Sequence, residues 1–205
     1  SILGVLLVTA VLGVGAWYLL AGRFTTTPDF DNLTQDQAIK LAPTNARAHW
    51  LRARVLMTTE DLTRALAAAD ESIRLDPEEP RHRLTRAQIL GPLGRFAEAS
   101  QEAERAAAGS ERRPHVKARA LCLLGDIAAS GPQPDYKRAV GYHTEAIKLA
   151  DTLTSSPHPA VRLPAKEVLV DAHLGAAQDI AWGAWNQKEA SVSKWLQRAA
   201  TAADD

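Results

Sequence analysis

Cysteine is nearly absent. Cys122 is the only one in 205 residues, so no intramolecular disulfide can form. One thiol is compatible with cytosol or periplasm and leaves the redox compartment open. An excess of either charge is also missing: 24 basic residues stand against 24 acidic ones. That balance argues against a nucleic-acid binder held by bulk electrostatics. Catalytic signatures are lacking as well. There is no phosphate loop, no G-x-S-x-G and no H-E-x-x-H, so the chain does not read as an enzyme, and no cofactor or metal is expected. What remains is ample apolar material, 46% of residues, which argues against a disordered chain.

Part of that apolar material is concentrated at the start. Residues 1–22, SILGVLLVTAVLGVGAWYLLAG, carry no charge before Arg23. As a helix they would reach about 33 Å, against a hydrocarbon core of about 30 Å. A helix satisfies its own backbone in lipid, and Trp17 and Tyr18 sit where an interfacial aromatic belt belongs. The expectation is therefore a single membrane-spanning anchor. A cleaved signal peptide is the rival, but its apolar region is normally shorter. LLAG at 19–22 resembles a lipoprotein box, yet Arg23 stands where cysteine is needed. The side of the membrane that the remainder faces is not legible; a periplasmic placement is slightly favoured. Residues 23–36 read as a polar linker containing Pro28.

From there the pattern is helical, punctuated by glycine or proline every 12–18 residues. It also repeats. IKLAPTN at 39–45 and IRLDPEE at 73–79 place Ile39 and Ile73, Leu41 and Leu75, and Pro43 and Pro77 each 34 apart. Such a period marks stacked supersecondary units. The unit beginning at Pro80 has Ala87, Leu90, Gly94, Phe96, Ala99 and Ala106 at places 8, 11, 15, 17, 20 and 27. The unit beginning at Ala46 has Ala53, Leu56, Leu62, Ala65 and Pro77 in step, with Glu60 where glycine is expected and Ser72 where alanine is. A third has Gly125, Tyr136, Ala139 and Ala146, with two extra residues absorbed at SGPQPD, 130–135.

These strings resemble the tetratricopeptide repeat (TPR), a 34-residue helix–turn–helix unit. The resemblance implies an all-α, right-handed solenoid. Residues 37–150 hold a half repeat, DQAIKLAP, plus about three units. Residues 151–205 hold a loop through 150–164 and a degenerate helix pair, 164–182 and 187–203, serving as a cap or fourth repeat. Small residues would let the paired helices approach, and Phe96 and Tyr136 would fill the core. At least two of Trp182, Trp185 and Trp195 are expected in the core as well.

The resemblance also implies a binding groove lined by the first helix of each unit. Its lining here would be Arg47, Trp50, Arg54 and Met57; then Arg81, Leu84 and Gln88; then Arg119, Cys122 and Asp126. Arginine recurs at the second place of each unit, close to a positive helix end, which suits a grip on a carboxylate or acidic peptide. The implied function is a membrane-anchored protein–protein interaction scaffold. It would be an accessory subunit or assembly factor of a membrane complex, with a protein or peptide partner and no nucleic acid. A membrane-tethered chaperone and a regulatory fragment of a larger enzyme are the alternatives. His49, His82 and His115 lie 33 apart, but the repeat register sets them at unlike places, so they read as surface or helix-start residues rather than a metal ladder. Cys122 reads as small and buried or groove-facing rather than nucleophilic. Asp126 and Asp135 read as solvated acids beside a turn.

Overall fold

The computed structural model describes residues 35–183 and 188–204, and every regular element among them is helical. Two compact units are distinguished, Ser1–Pro43 and Thr44–Asp205. Of the first, the described part is α1 (Gln35–Leu41), at the expected half repeat. The second holds α2 (Ala46–Thr58), α3 (Leu62–Leu75), α4 (Pro80–Leu90), α5 (Phe96–Ala108), α6 (Pro114–Ser130), α7 (Tyr136–Asp151), α8 (Pro159–Trp182) and α9 (Lys188–Asp204). These form four helix pairs. The expected anchor, 1–22, and the linker up to residue 34 lie outside the described residues. Among the described residues, no helix is long and apolar enough to cross a membrane.

Local chemistry explains where the helices start. Asn45, Asp61, Glu79 and Asp135 each stand just before a helix, and each side chain accepts a hydrogen bond from a first-turn amide. Pro80, Pro114 and Pro159 occupy the first helical turn, where the missing N–H costs nothing.

Packing rests on small residues. Ala53, Ala65, Ser72, Ala87, Ala99, Ala106, Ala139 and Ala146 are all fully buried. They are the places that the 34-residue period marks as small. Ser72 is tolerated there because its hydroxyl donates to the Ala69 carbonyl at 2.8 Å. The main core gathers Ala87, Leu90, Ala118, Leu121, Leu124 and Val168, so it runs continuously from the second pair into the fourth.

The turn inside the first two units is the same turn. Asp61 N–H donates to Leu56 O and Arg95 N–H to Leu90 O, each at 3.0 Å and each closing six residues. That turn needs one residue with positive φ. Gly94 supplies it at 74°, and in the first unit Glu60 is forced to 59°.

Three expectations are corrected. The loop at 150–164 is mostly helix: α7 continues to Asp151 and α8 begins at Pro159. His158 O accepts from both Val161 and Arg162 N–H, so the helix is nucleated before Pro164 is reached. Pro164 then removes one bond near the N-terminal end, at exposed Ala160, where water can serve the carbonyl. Trp182 is not core, at 70% exposed; Trp195 is partly buried against His173 at 5.3 Å, and Trp185 lies outside the described residues. Phe96 and Tyr136 are half-buried rather than enclosed. His82 is in the first turn of α4, as a helix-start residue, and is buried there.

A left-handed non-glycine residue costs about 1–2 kcal/mol, partly offset by the greater unfolded-state freedom of glycine. Glu60→Gly should therefore raise stability by about 1 kcal/mol in denaturant unfolding. Burial lowers the affinity of His82, His115 and His173 for a proton, below the ordinary value of 6.5. Unfolding lets each take one up, so their contribution is complete above about pH 6.5 and is lost as pH falls through the depressed folded values. Unfolding midpoints should drop between about pH 6.5 and the carboxylate range, with the slope reduced in His82→Gln.

Candidate functional site

The first helices of successive pairs touch, α2 to α4, α4 to α6 and α6 to α8. Among the described residues, the backbones of the second helices α3, α5, α7 and α9 come less close to one another, and α5 and α7 meet only through the long side chains of Glu104 and Arg138, 3.5 Å apart. A stack whose backbones lie closer along one side curves toward that side, so α2, α4, α6 and α8 form its inner face. Two sites stand out there.

The first is an apolar pocket of about 570 Å3. Met57 reaches it from α2, Gln88 from α4, Pro92 from the α4–α5 turn, Phe96 from the start of α5, and Leu123, Asp126 and Ile127 from α6. Three expected groove residues, Met57, Gln88 and Asp126, are thus brought together from three helices. The other seven are spent differently. Leu84 and Cys122 are buried and offer no surface. Trp50 is half-buried, with its indole N–H donating to Thr85 Oγ1 at 2.9 Å. Arg54 and Arg81 lie over that ring at 5.0 and 5.1 Å. Arg81 is also paired with Glu79 at 2.9 Å, and Arg113 reaches the same carboxylate at 2.8 Å. Arg119 bridges to Asp171 and to Glu167 of α8, the latter at 3.2 Å. Arg47 is exposed, with its own contacts. The arginines at the second place therefore do not make a free clamp: Arg81 and Arg119 already hold carboxylates of this chain.

The second site is centred on His143 of α7, with its side chain 1% exposed. Its ring lies between Gly125 of α6 and Gly175 of α8. A Cβ at either glycine would come within 2.5 Å of the ring. Nδ1–H donates to Asp179 of α8 at 2.8 Å, and Nε2 faces Asp126 of α6 at 3.2 Å. With a carboxylate at each nitrogen, both carry protons and the ring is an imidazolium. Burial alone would lower its proton affinity; the bonds to Asp126 and Asp179 outweigh that and push it up to about 11. Cys122 lies beside the same ring, and burial pushes its thiol up. A cleft of about 380 Å3 opens onto Asp126, His143 and Asp179, with Tyr136, Gln178 and exposed Trp182 around it.

No family model matches the chain, and no curated protein matches it. Solved structures do. A crystal structure of MamA aligns over 87% of this chain and 91% of its own, at 14% identity and a TM-score of 0.59. PilF of Pseudomonas aeruginosa aligns over 96% and 87%, at 20% identity and 0.51. YrrB, described as a TPR protein with an unusual peptide-binding site, aligns over 84% and 94%, at 19% identity and 0.48. The fold is a TPR-type helical repeat. At these identities the likeness is one of architecture, and architecture alone assigns no function.

In this TPR-type stack the His143 cluster is the part that sequence reasoning missed. A signal was present. Ala139, His143 and Ala146 fall on one face of α7, so His143 occupies a packing place between two signature alanines. An ionisable residue there must find partners. Asp179 was out of reach because the register of the last helix pair was not assigned.

Removing one member of a buried, hydrogen-bonded ion pair typically costs about 3–5 kcal/mol, because the other charge is left uncompensated. Asp179→Asn should destabilise the chain by about that amount in chemical denaturation. Asp126→Asn should cost much less, because the Asp126 side chain is 56% exposed and solvent already serves it.

Proposed function

We propose that the chain is a protein–protein interaction scaffold whose inner face seats an apolar segment of a protein partner. One observation carries this: the first helices of three successive pairs contribute Met57, Gln88, Leu123 and Ile127 to a single pocket. Such a pocket is built from elements that the fold already holds rigid, so binding need not order the receptor. The rim supplies Asp126 and Ser130 as hydrogen-bonding groups that orient what enters. Arg81 and Arg119 are engaged with acids of this chain, which turns the reading away from an acidic peptide and toward an apolar one.

The finer proposal adds the anchor. With residues 1–22 in a membrane, encounters would be confined to its plane, and the effective concentration toward membrane-bound partners would rise. That suits an accessory subunit or assembly factor of a membrane complex.

The test is mild crosslinking in native membranes, affinity purification of the full chain and mass spectrometry of what accompanies it. One partner in near-fixed ratio is the expected result. Gln88→Arg, which puts a long charged side chain into the pocket from a half-buried place, should cut recovery of that partner at least tenfold with helicity unchanged. Many substoichiometric companions would instead indicate a chaperone, and full recovery by Gln88→Arg would remove the pocket from the reading.

A further inference from the structure

Cys122 and Asp126 stand one turn apart on α6, and His143 faces them from α7. One donor atom from each lies within 4.8 Å of the other two. Among the described residues, these are the only three histidine, cysteine or acidic residues so disposed. We propose that Cys122 Sγ, Asp126 carboxylate and His143 Nε2 form a binding site for a zinc-class divalent transition-metal ion, with the fourth position opening into the cleft beside Trp182.

The donor set fits that ion. Thiolate, imidazole and carboxylate together select a borderline-soft metal over magnesium or calcium. The spacing fits too. Nitrogen and oxygen donors about 2.0 Å from a tetrahedral ion are about 3.3 Å apart; His143 Nε2 and Asp126 Oδ1 are 3.2 Å apart. The outer arrangement is of the kind that metal sites use. Nδ1–H of His143 is already committed to the buried carboxylate of Asp179 at 2.8 Å, which leaves Nε2 as the donor and fixes the ring. Gly125 and Gly175 hold the ring from both sides, because any side chain there would overlap it.

Binding would use Cys122 as the thiolate and the lone pair of His143 Nε2, so protons on those atoms would be released to solvent as the ion enters. An entry path exists as well, because Asp126 and His143 both line the 380 Å3 cleft, with Gln178 and Tyr136 across it.

Cobalt(II) titration of the full chain tests this directly. Cys122 is the only thiol, so a thiolate-to-cobalt charge-transfer band reports this site alone. The expected result is one cobalt per chain, with that band and tetrahedral visible absorption, both abolished by stoichiometric zinc. Cys122→Ser should abolish the band, and Asp126→Asn, at an exposed carboxylate, should weaken binding at least tenfold while circular dichroism stays unchanged. Saturation with cobalt without the thiolate band would overturn the proposal, as would affinity unaltered in Asp126→Asn.

Discussion

Close approach between helices is the constraint on which the rest of this structure depends. Two helices approach most closely where their facing residues are alanine, serine or glycine. Every such place in the first three units is buried, from Ala53 and Ala65 to Ala139 and Ala146. Alanine contributes little hydrophobic free energy by itself; its value is that it lets Leu90, Leu121, Leu124 and Val168 reach one another across three pairs. The His143 cluster is an extreme of the same rule. Its ring is admitted between α6 and α8 because both neighbours are glycines, and once admitted it must be satisfied in place.

How much was legible follows from the same rule. A period of 34 is written in small residues and turn residues, so the pairs at 46–75 and 80–108 could be drawn from the sequence almost to the residue. Even the departure at Glu60 kept its place: the turn is imposed by hydrogen bonds on either side, and the wrong residue is bent to fit. Pro164 misled for a related reason. Proline forbids a hydrogen bond, not a helix, and near an N-terminal turn that bond is dispensable. The site was far less visible. Met57, Gln88 and Asp126 converge as groove residues should, but Leu84 and Cys122 turn inward, because a groove-lining place on an idealised repeat becomes a core place wherever the next pair packs over it. His143 and Asp179 are 36 residues apart and meet only through tertiary packing.

The arginines show the limit of reasoning from one element at a time. Placed near a positive helix end, each looks in want of an external anion. In the fold, carboxylates of this chain supply that need, Glu79 for Arg81 and α8 acids for Arg119, and other arginines are paired likewise: Arg113 with Glu79, Arg86 with Asp70, and Arg83 and Arg105 with Glu102. Most of these pairs are partly exposed and add little to stability singly. Their larger effect is on recognition. They neutralise the basic residues of the face and leave an apolar pocket, rather than a charged clamp, as its most distinctive feature.

Asp126 joins the two sites. It lines the apolar pocket with Leu123 and Ile127, and it lines the cleft with His143 and Asp179. Its side chain is 56% exposed, so water now weakens its hold on the buried imidazolium 3.2 Å away. A segment seated in the pocket would strip part of that water, and a charge pair strengthens as the surrounding dielectric falls. Occupation of the inner face would thereby tighten the α6–α7–α8 junction without any change of contact. Conversely, a ligand that draws Asp126 toward Cys122 would alter the rim that an incoming segment meets. Through one carboxylate, a partner docked in the pocket and a ligand of the buried cluster would each bias the other.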